Sequence, residues 1–240
     1  MVYKIKYIAL ILLLTITFLN ACTSPSPVIG DGSLTTIRNE IAKIDSIYLS
    51  IPAQVDITAG DQLFIEIRAE KNILPAILID VSANQLRITS DASLQPTQPI
   101  EIIVQMPGVK NLDLTGNGSI RLPSTIADTI RMKVRGSGQI LALSLRSAEL
   151  FIDLYGPGKI EISGETKTQY IEIADGGKYI TPSLSSEEAF ISLGGSGDLI
   201  VRVSKQLNAT MGGSGNLEYY GDPQISGKVT GTARIQRLGP

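Results

Sequence analysis

Gly116-Asn117-Gly118-Ser119-Ile120, Gly136-Ser137-Gly138-Gln139-Ile140 and Gly156-Pro157-Gly158-Lys159-Ile160 are three copies of one motif, Gly-x-Gly-x-apolar, whose reading decides the fold. Gly195-Ser196-Gly197-Asp198-Leu199 and Gly213-Ser214-Gly215-Asn216-Leu217 repeat it. Asp175-Gly176-Gly177-Lys178-Tyr179 and Gly231-Thr232-Ala233-Arg234-Ile235 are degenerate copies. Starts at 116, 136, 156, 175, 195, 213 and 231 give steps of 20, 20, 19, 20, 18 and 18 residues. A near-constant step of this length marks a repeat architecture.

The flanks say what each repeat is. Leu114, Val134, Leu154, Ile173, Leu193, Met211 and Val229 stand two residues before each motif, and Leu112, Met132, Ile152, Ile171, Ile191, Ala209 and Gly227 stand four before it. Between them lie Asp113, Lys133, Asp153, Glu172, Ser192, Thr210 and Lys228. Apolar-polar-apolar alternation with period two is the pattern of a half-buried strand. A second short run follows each motif, such as Ile120-Arg121-Leu122 or Ile160-Glu161-Ile162, and then a turn. A step of this size cannot hold two strands and a crossover helix. It can hold one rung of a parallel β-solenoid, with like residues stacked every ~4.8 Å.

Both motif glycines share strand parity with the inward residues, so large side chains there would compete with the Leu/Ile/Val stacks, and a glycine pair also permits a sharp corner. A phosphate-cradling loop would need a following helix and a Lys or Ser/Thr at fixed offset, and neither is present. Gly194-Gly195-Ser196-Gly197-Asp198 is similar to a calcium-binding nonapeptide, but the repeat is about twice too long, so no calcium is expected.

The stretch 37–106 alternates as well, through Ile47–Ile51, Val55–Ile57, Leu63–Ile67, Ile77–Val81, Leu86–Ile88 and Ile100–Met106. It lacks the glycine motif and its spacing is irregular, as expected of an atypical N-terminal half that shields the first rung, ahead of Gly-x-Gly rungs over 107–240. No linker-like stretch divides the two, so 37–240 reads as a single domain.

Composition limits the chemistry. Of 240 residues, 43% are hydrophobic and 18% charged, which excludes a disordered chain. A balance of 21 Lys+Arg against 23 Asp+Glu gives −2, with no basic excess for nucleic acid. There is no His and one Cys, which excludes a disulfide framework, a Cys/His zinc site and an imidazole base; no cofactor is expected.

That one cysteine has a distinctive setting. Lys4 and Lys6 precede the apolar run Tyr7–Leu19, the layout of a secretory leader over 1–21 and too short for a comfortable membrane span. It ends in Leu19-Asn20-Ala21-Cys22, which looks like a bacterial lipobox and makes Cys22 the expected lipid attachment site. Residues 22–36, beginning Thr23-Ser24-Pro25-Ser26-Pro27 after the cysteine, read as a tether. Loss of Lys4 and Lys6 leaves 19 Lys+Arg against 23 Asp+Glu, or −4. Thr23 rather than Asp follows the cysteine, which resembles an outer-membrane sorting signal, with the domain at the periplasmic or the cell-surface face.

Val55-Asp56-Ile57, the Leu86-Arg87-Ile88 strand, the run Ile102–Leu114 through Met106-Pro107, and the serial Gly-x-Gly-x-apolar units together resemble the putative auto-transporter adhesin, head-GIN domain family of bacterial envelope proteins. The resemblance covers about 37–240. It implies an all-β, right-handed parallel β-helix and brings no agreed functional residues. Asp175 and Ala233 depart from the motif.

Two functions follow. One is a non-catalytic envelope lipoprotein that presents a β-helical surface to a glycan or protein ligand and is held to the membrane by its lipid. The other is a polysaccharide-degrading lyase or hydrolase on the same fold, and fold alone does not choose between them. The best catalytic candidates are Asp153 and Glu172, outward-facing on successive rungs and so about 5 Å apart. The alternative for these two is a solvated ladder in which Asp113 and Asp153 flank Lys133. Arg234-Ile235-Gln236 is superficially similar to a polygalacturonase substrate-binding triplet, but the acidic pairs and His motif of those enzymes are missing. No catalytic residue is therefore assigned. The sequence does not specify the oligomeric state.

Overall fold

The computed structural model describes residues 26–240, and over that span the chain is a parallel β-solenoid of about six turns. Its strands are β1 (Val28–Ile29), β2 (Leu34–Glu40), β3 (Ser46–Leu49), β4 (Ala53–Ala59), β5 (Phe64–Glu70), β6 (Leu78–Ser82), β7 (Gln85–Thr89), β8 (Leu94–Gln95), β9 (Ile100–Met106) and β10 (Asn111–Thr115). There follow β11 (Ser119–Leu122), β12 (Thr125–Arg135), β13 (Gln139–Tyr155), β14 (Lys159–Ile173), β15 (Lys178–Leu193), β16 (Asp198–Met211), β17 (Asn216–Tyr220), β18 (Gln224–Val229) and β19 (Arg234–Gly239).

From β10 onward the rungs stack in sequence order with the register set by the glycine motifs. Ile120 pairs with Ile140 and Ile140 with Ile160, while Leu114 pairs with Val134 and Val134 with Leu154. All six are buried, as are Leu112, Met132 and Ile152. Each fully buried aliphatic side chain contributes about 1.5–3 kcal/mol, so these stacked columns are the main source of stability.

The two motif glycines do different jobs. Gly138 is buried and inward, where a Cβ would lie 2.6 Å from Leu114 Cδ2 and 2.8 Å from the Gly118 carbonyl oxygen. Gly136 is only half-buried and makes the corner, with φ +116°. Parity alone had placed both inward; the corner turns the first one out.

The stretch 37–106 is atypical in a way that spacing does not reveal. β3 and β4 form a rung that pairs in parallel with β10 and β11 on one side and with β7 and β9 on the other. The rung that comes first in the chain is thus second in space, and the β7–β9 rung lies outside it. Antiparallel strands then close that end: β6 on β7, β5 on β9, and β2 on β5.

Order also begins earlier than the expected boundary at 37. Within the stretch read as tether, Val28 and Ile29 pair with Leu94 and Gln95, and β2 starts at Leu34. Glu70, 1% exposed, clasps this segment to the domain. Its carboxylate accepts from the Thr97 hydroxyl, from the Gly32 amide at 2.6 Å and from the Thr97 amide at 2.9 Å. The Thr97 hydroxyl, with the Gly32, Thr97 and Gln98 amides, outweighs the opposing effect of burial and holds this carboxyl below the usual glutamate range. A depressed folded value means the clasp contributes fully above the unfolded value and is lost as pH falls through the folded one. Hydrogen exchange, corrected for intrinsic rate, is therefore expected to show the Gly32 and Thr97 amides losing protection below about pH 4, before the solenoid opens. Unchanged protection there would remove Glu70 from this role.

Candidate functional site

The residues that alternate outward before each glycine motif line one continuous sheet face. One column reads Arg87, Tyr48, Asp113, Lys133, Asp153, Glu172, Ser192, Thr210, Lys228 in direct register. Asp153 does pair with Glu172, and Asp113 and Asp153 do flank Lys133. Parallel pairing fixes this arrangement because each strand occupies the same place in its rung.

The pair is built into a network of aromatic and cationic groups. Tyr155 donates its hydroxyl to Glu172 Oε1 at 3.3 Å, and Lys133 Nζ lies 5.2 Å from the Tyr155 ring centroid. Arg135 makes two 2.8 Å hydrogen bonds to the Asp113 carboxylate. Burial, followed by the negative charges of Glu172 and Asp153, pushes the Tyr155 hydroxyl up, so it stays a donor at neutral pH. Glu172 is exposed and Asp153 half-buried on an open face.

Removing both charges takes away a like-charge contact between rungs. Asp153→Asn with Glu172→Gln is expected to leave stability unchanged or raise it by up to about 1 kcal/mol, read from denaturant midpoints. A loss greater than that would show that the pair holds the face together.

A second outward column was not singled out in the sequence. It reads Ser46, Asn111, Arg131, Phe151, Tyr170, Phe190, Asn208. The Phe151 and Tyr170 rings stack at 4.7 Å and the Tyr170 and Phe190 rings at 5.4 Å, both with 12° between planes. Arg131 covers the free face of Phe151 at 4.3 Å. The signal was present five residues before each motif, at the same period as the inward columns. Because the rings cover one another, a ligand would meet their edges and the polar columns beside them rather than a flat aromatic plate.

Grooves lie elsewhere. One of about 680 Å³ is lined by Lys110, Ile126, Asp128, Thr129, Arg146 and Ser147, where the start of β12 pairs only with β13 and Ile126 is 73% exposed. Two smaller ones, of about 180 and 310 Å³, flank the Lys159–Glu161 ion pair on the face that carries β4, β11, β17 and β19. Asp153 and Glu172 line none of these three. Among the described residues no three acidic, His or Cys side chains come together to hold a metal. Arg234 and Gln236 sit exposed on the terminal strand β19. Cys22 lies outside the described residues, and no described helix is long and apolar enough to cross a membrane.

The family described as "Putative auto-transporter adhesin, head GIN domain" matches residues 44–223. A solved structure of a putative adhesin from Bacteroides fragilis NCTC 9343 superposes with a TM-score of 0.81 at 18% identity, covering 88% of this chain and 100% of that one. A putative adhesin from Parabacteroides merdae ATCC 43184 gives 0.66 at 18% identity, over 88% and 99%. A putative lipid binding protein from Parabacteroides distasonis ATCC 8503 gives 0.67 at 20% identity, over 89% and 100%. At such identities the likeness is one of fold. No curated protein matches the chain.

Proposed function

Because the chain belongs to the putative auto-transporter adhesin, head GIN domain family, we propose that it is a non-catalytic envelope lipoprotein whose solenoid presents the ladder face to a ligand. The observation that carries this reading is the face itself. Outward columns of charged, aromatic and amide side chains run in register along the rungs, on an open sheet with no cleft around the one adjacent carboxylate pair. A rigid row of hydrogen-bonding groups repeated at the rung spacing suits an extended glycan or peptide laid along the solenoid axis. Such a surface binds by many modest contacts, not by enclosing a small substrate.

Anchorage rests on Cys22. With Val28 and Ile29 already paired to β8, the tether from a lipidated Cys22 to the folded domain spans only the few residues before Val28, which would hold the solenoid close to the membrane. The outer membrane is the expected location. Replacing Cys22 with Ser is expected to move the protein out of the detergent-extracted membrane fraction, since one acylated residue is the anchor. Unchanged partitioning would defeat the lipoprotein assignment and leave the binding face to be judged separately.

A further inference from the structure

The two ends of the solenoid are finished differently. At the β7–β9 end the antiparallel strands β6, β5 and β2 carry the ladders away from the rungs, with Asp80 on β6 and Arg38 and Glu40 on β2, charges of the kind that discourage edge pairing. At the other end β18 pairs only with β16, among the described residues, and all six of its residues are exposed. Ile225 and Val229 are 49% and 46% exposed, whereas Leu207 and Met211, directly below them, are buried. The inward column therefore continues into solvent.

The free edge of β18 is complementary to itself. Thr230 donates its amide to the Met211 carbonyl on β16 at 2.8 Å. Amides and carbonyls alternate along a strand, so Ile225, Gly227 and Val229 turn theirs to the open edge. A second strand of the same sequence, antiparallel and with a two-fold axis at Gly227, sets Ile225 against Val229 of the other copy twice, all on the inward side. Gly227 meets Gly227, and every open amide and carbonyl of the three positions finds a partner. Lys228, the charged residue of β18, falls opposite Ser226 of the other copy, so no like charges meet. We propose that this edge is where a second copy of the chain docks, giving an end-to-end two-fold dimer with one core running through both solenoids. The interface is isologous and uses the β18 edge of each copy, so association through that edge stops at two.

The register names its own cross-link. Ser226 and Lys228 turn their backbone groups toward β16, so across the dimer they form non-hydrogen-bonded pairs with Cα atoms ~4.5 Å apart, inside the range a disulfide spans. In full-length protein carrying Cys22→Ser, so that engineered thiols are the only ones, Ser226→Cys with Lys228→Cys is expected to form a covalent dimer when oxidised glutathione is added as the oxidant. Either change alone is expected to give none. Sedimentation at about 0.1 mM should show a dimer, and Ile225→Asp should weaken it at least about tenfold, the side chain being half-exposed in the monomer already. A monomer at that concentration, larger oligomers, or cross-linking by the single variants as readily as by the double one would overturn the proposal. Should Ile225→Asp fail to fold, the cross-link comparison decides alone.

Discussion

Replacing Gly138 with Val is expected to destabilise the solenoid by more than about 2 kcal/mol, because a β-branched side chain must enter an inward corner that already lacks room for a Cβ. The nearest atoms are Leu114 Cδ2 at 2.6 Å and the Gly118 carbonyl oxygen at 2.8 Å, and only the first belongs to a side chain that can turn away. The carbonyl is fixed by its own ladder, since the Gln139 amide donates to it at 3.1 Å. Relief would require separating two rungs. Ser137 is exposed at the same corner, and the same substitution there is expected to change stability by less than about 0.5 kcal/mol. Chemical denaturation of the pair checks this, and equal midpoints for the two variants would contradict the stacked register.

The second large effect lies in a polar knot inside the core. Gln169 is fully buried, occupying the inward position held by Leu150 and Ala189 on the neighbouring rungs. Its Oε1 accepts from the Tyr179 hydroxyl at 2.7 Å and its Nε2 donates to Ser186 Oγ at 2.9 Å, while Ser186 donates onward to the Arg202 carbonyl at 2.8 Å. Burial pushes the Tyr179 hydroxyl far above its ordinary range, so it is a donor at every working pH. Gln169→Leu suits the column but takes from that hydroxyl its 2.7 Å acceptor, leaving the Thr181 side chain as its remaining polar neighbour, and is expected to cost about 1–2 kcal/mol. Tyr179→Phe made together with it removes the donor that has lost Gln169 and should recover part of the loss, a coupling of at least about 0.5 kcal/mol. Additive effects would mean that the two side chains do not depend on each other.

These two cases show what the sequence made legible. The rung at Gly138 could be read because its neighbours in space, Gly118 and Gly158, are also its neighbours in the repeat. Periodicity reports contacts between successive rungs and little else. Gln169 breaks an apolar column at a position where period alone expects Leu or Ile, and its meaning depends on Tyr179 reaching across the interior. The rung made by β3 and β4 was hidden for a related reason. It turns its corner through Ser50-Ile51-Pro52 instead of a glycine pair, and its partners β7 and β10 lie on opposite sides of it in an order the chain does not follow. The short β1 strand was masked by the prolines beside it, since its pairing with β8 depends on a residue as remote as Leu94.

The ladder face was half legible. The spacing put Asp153 beside Glu172 and Lys133, and the structure keeps them there. The Phe151, Tyr170 and Phe190 column stood in the same spacing, five residues before each motif, whereas the spacing did not supply the Tyr155 hydroxyl on Glu172 or the stacking of those rings. Both depend on which way side chains lean along the sheet.

The claim that this face binds without catalysing is tested most directly by incubating the purified protein with a panel of acidic and neutral polysaccharides, with and without calcium, and measuring reducing ends and unsaturated products. The account expects no release above the protein-free control. Release that disappears when Asp153→Asn and Glu172→Gln are made together, in a variant as stable as the parent, would contradict it and make those two carboxylates a catalytic pair.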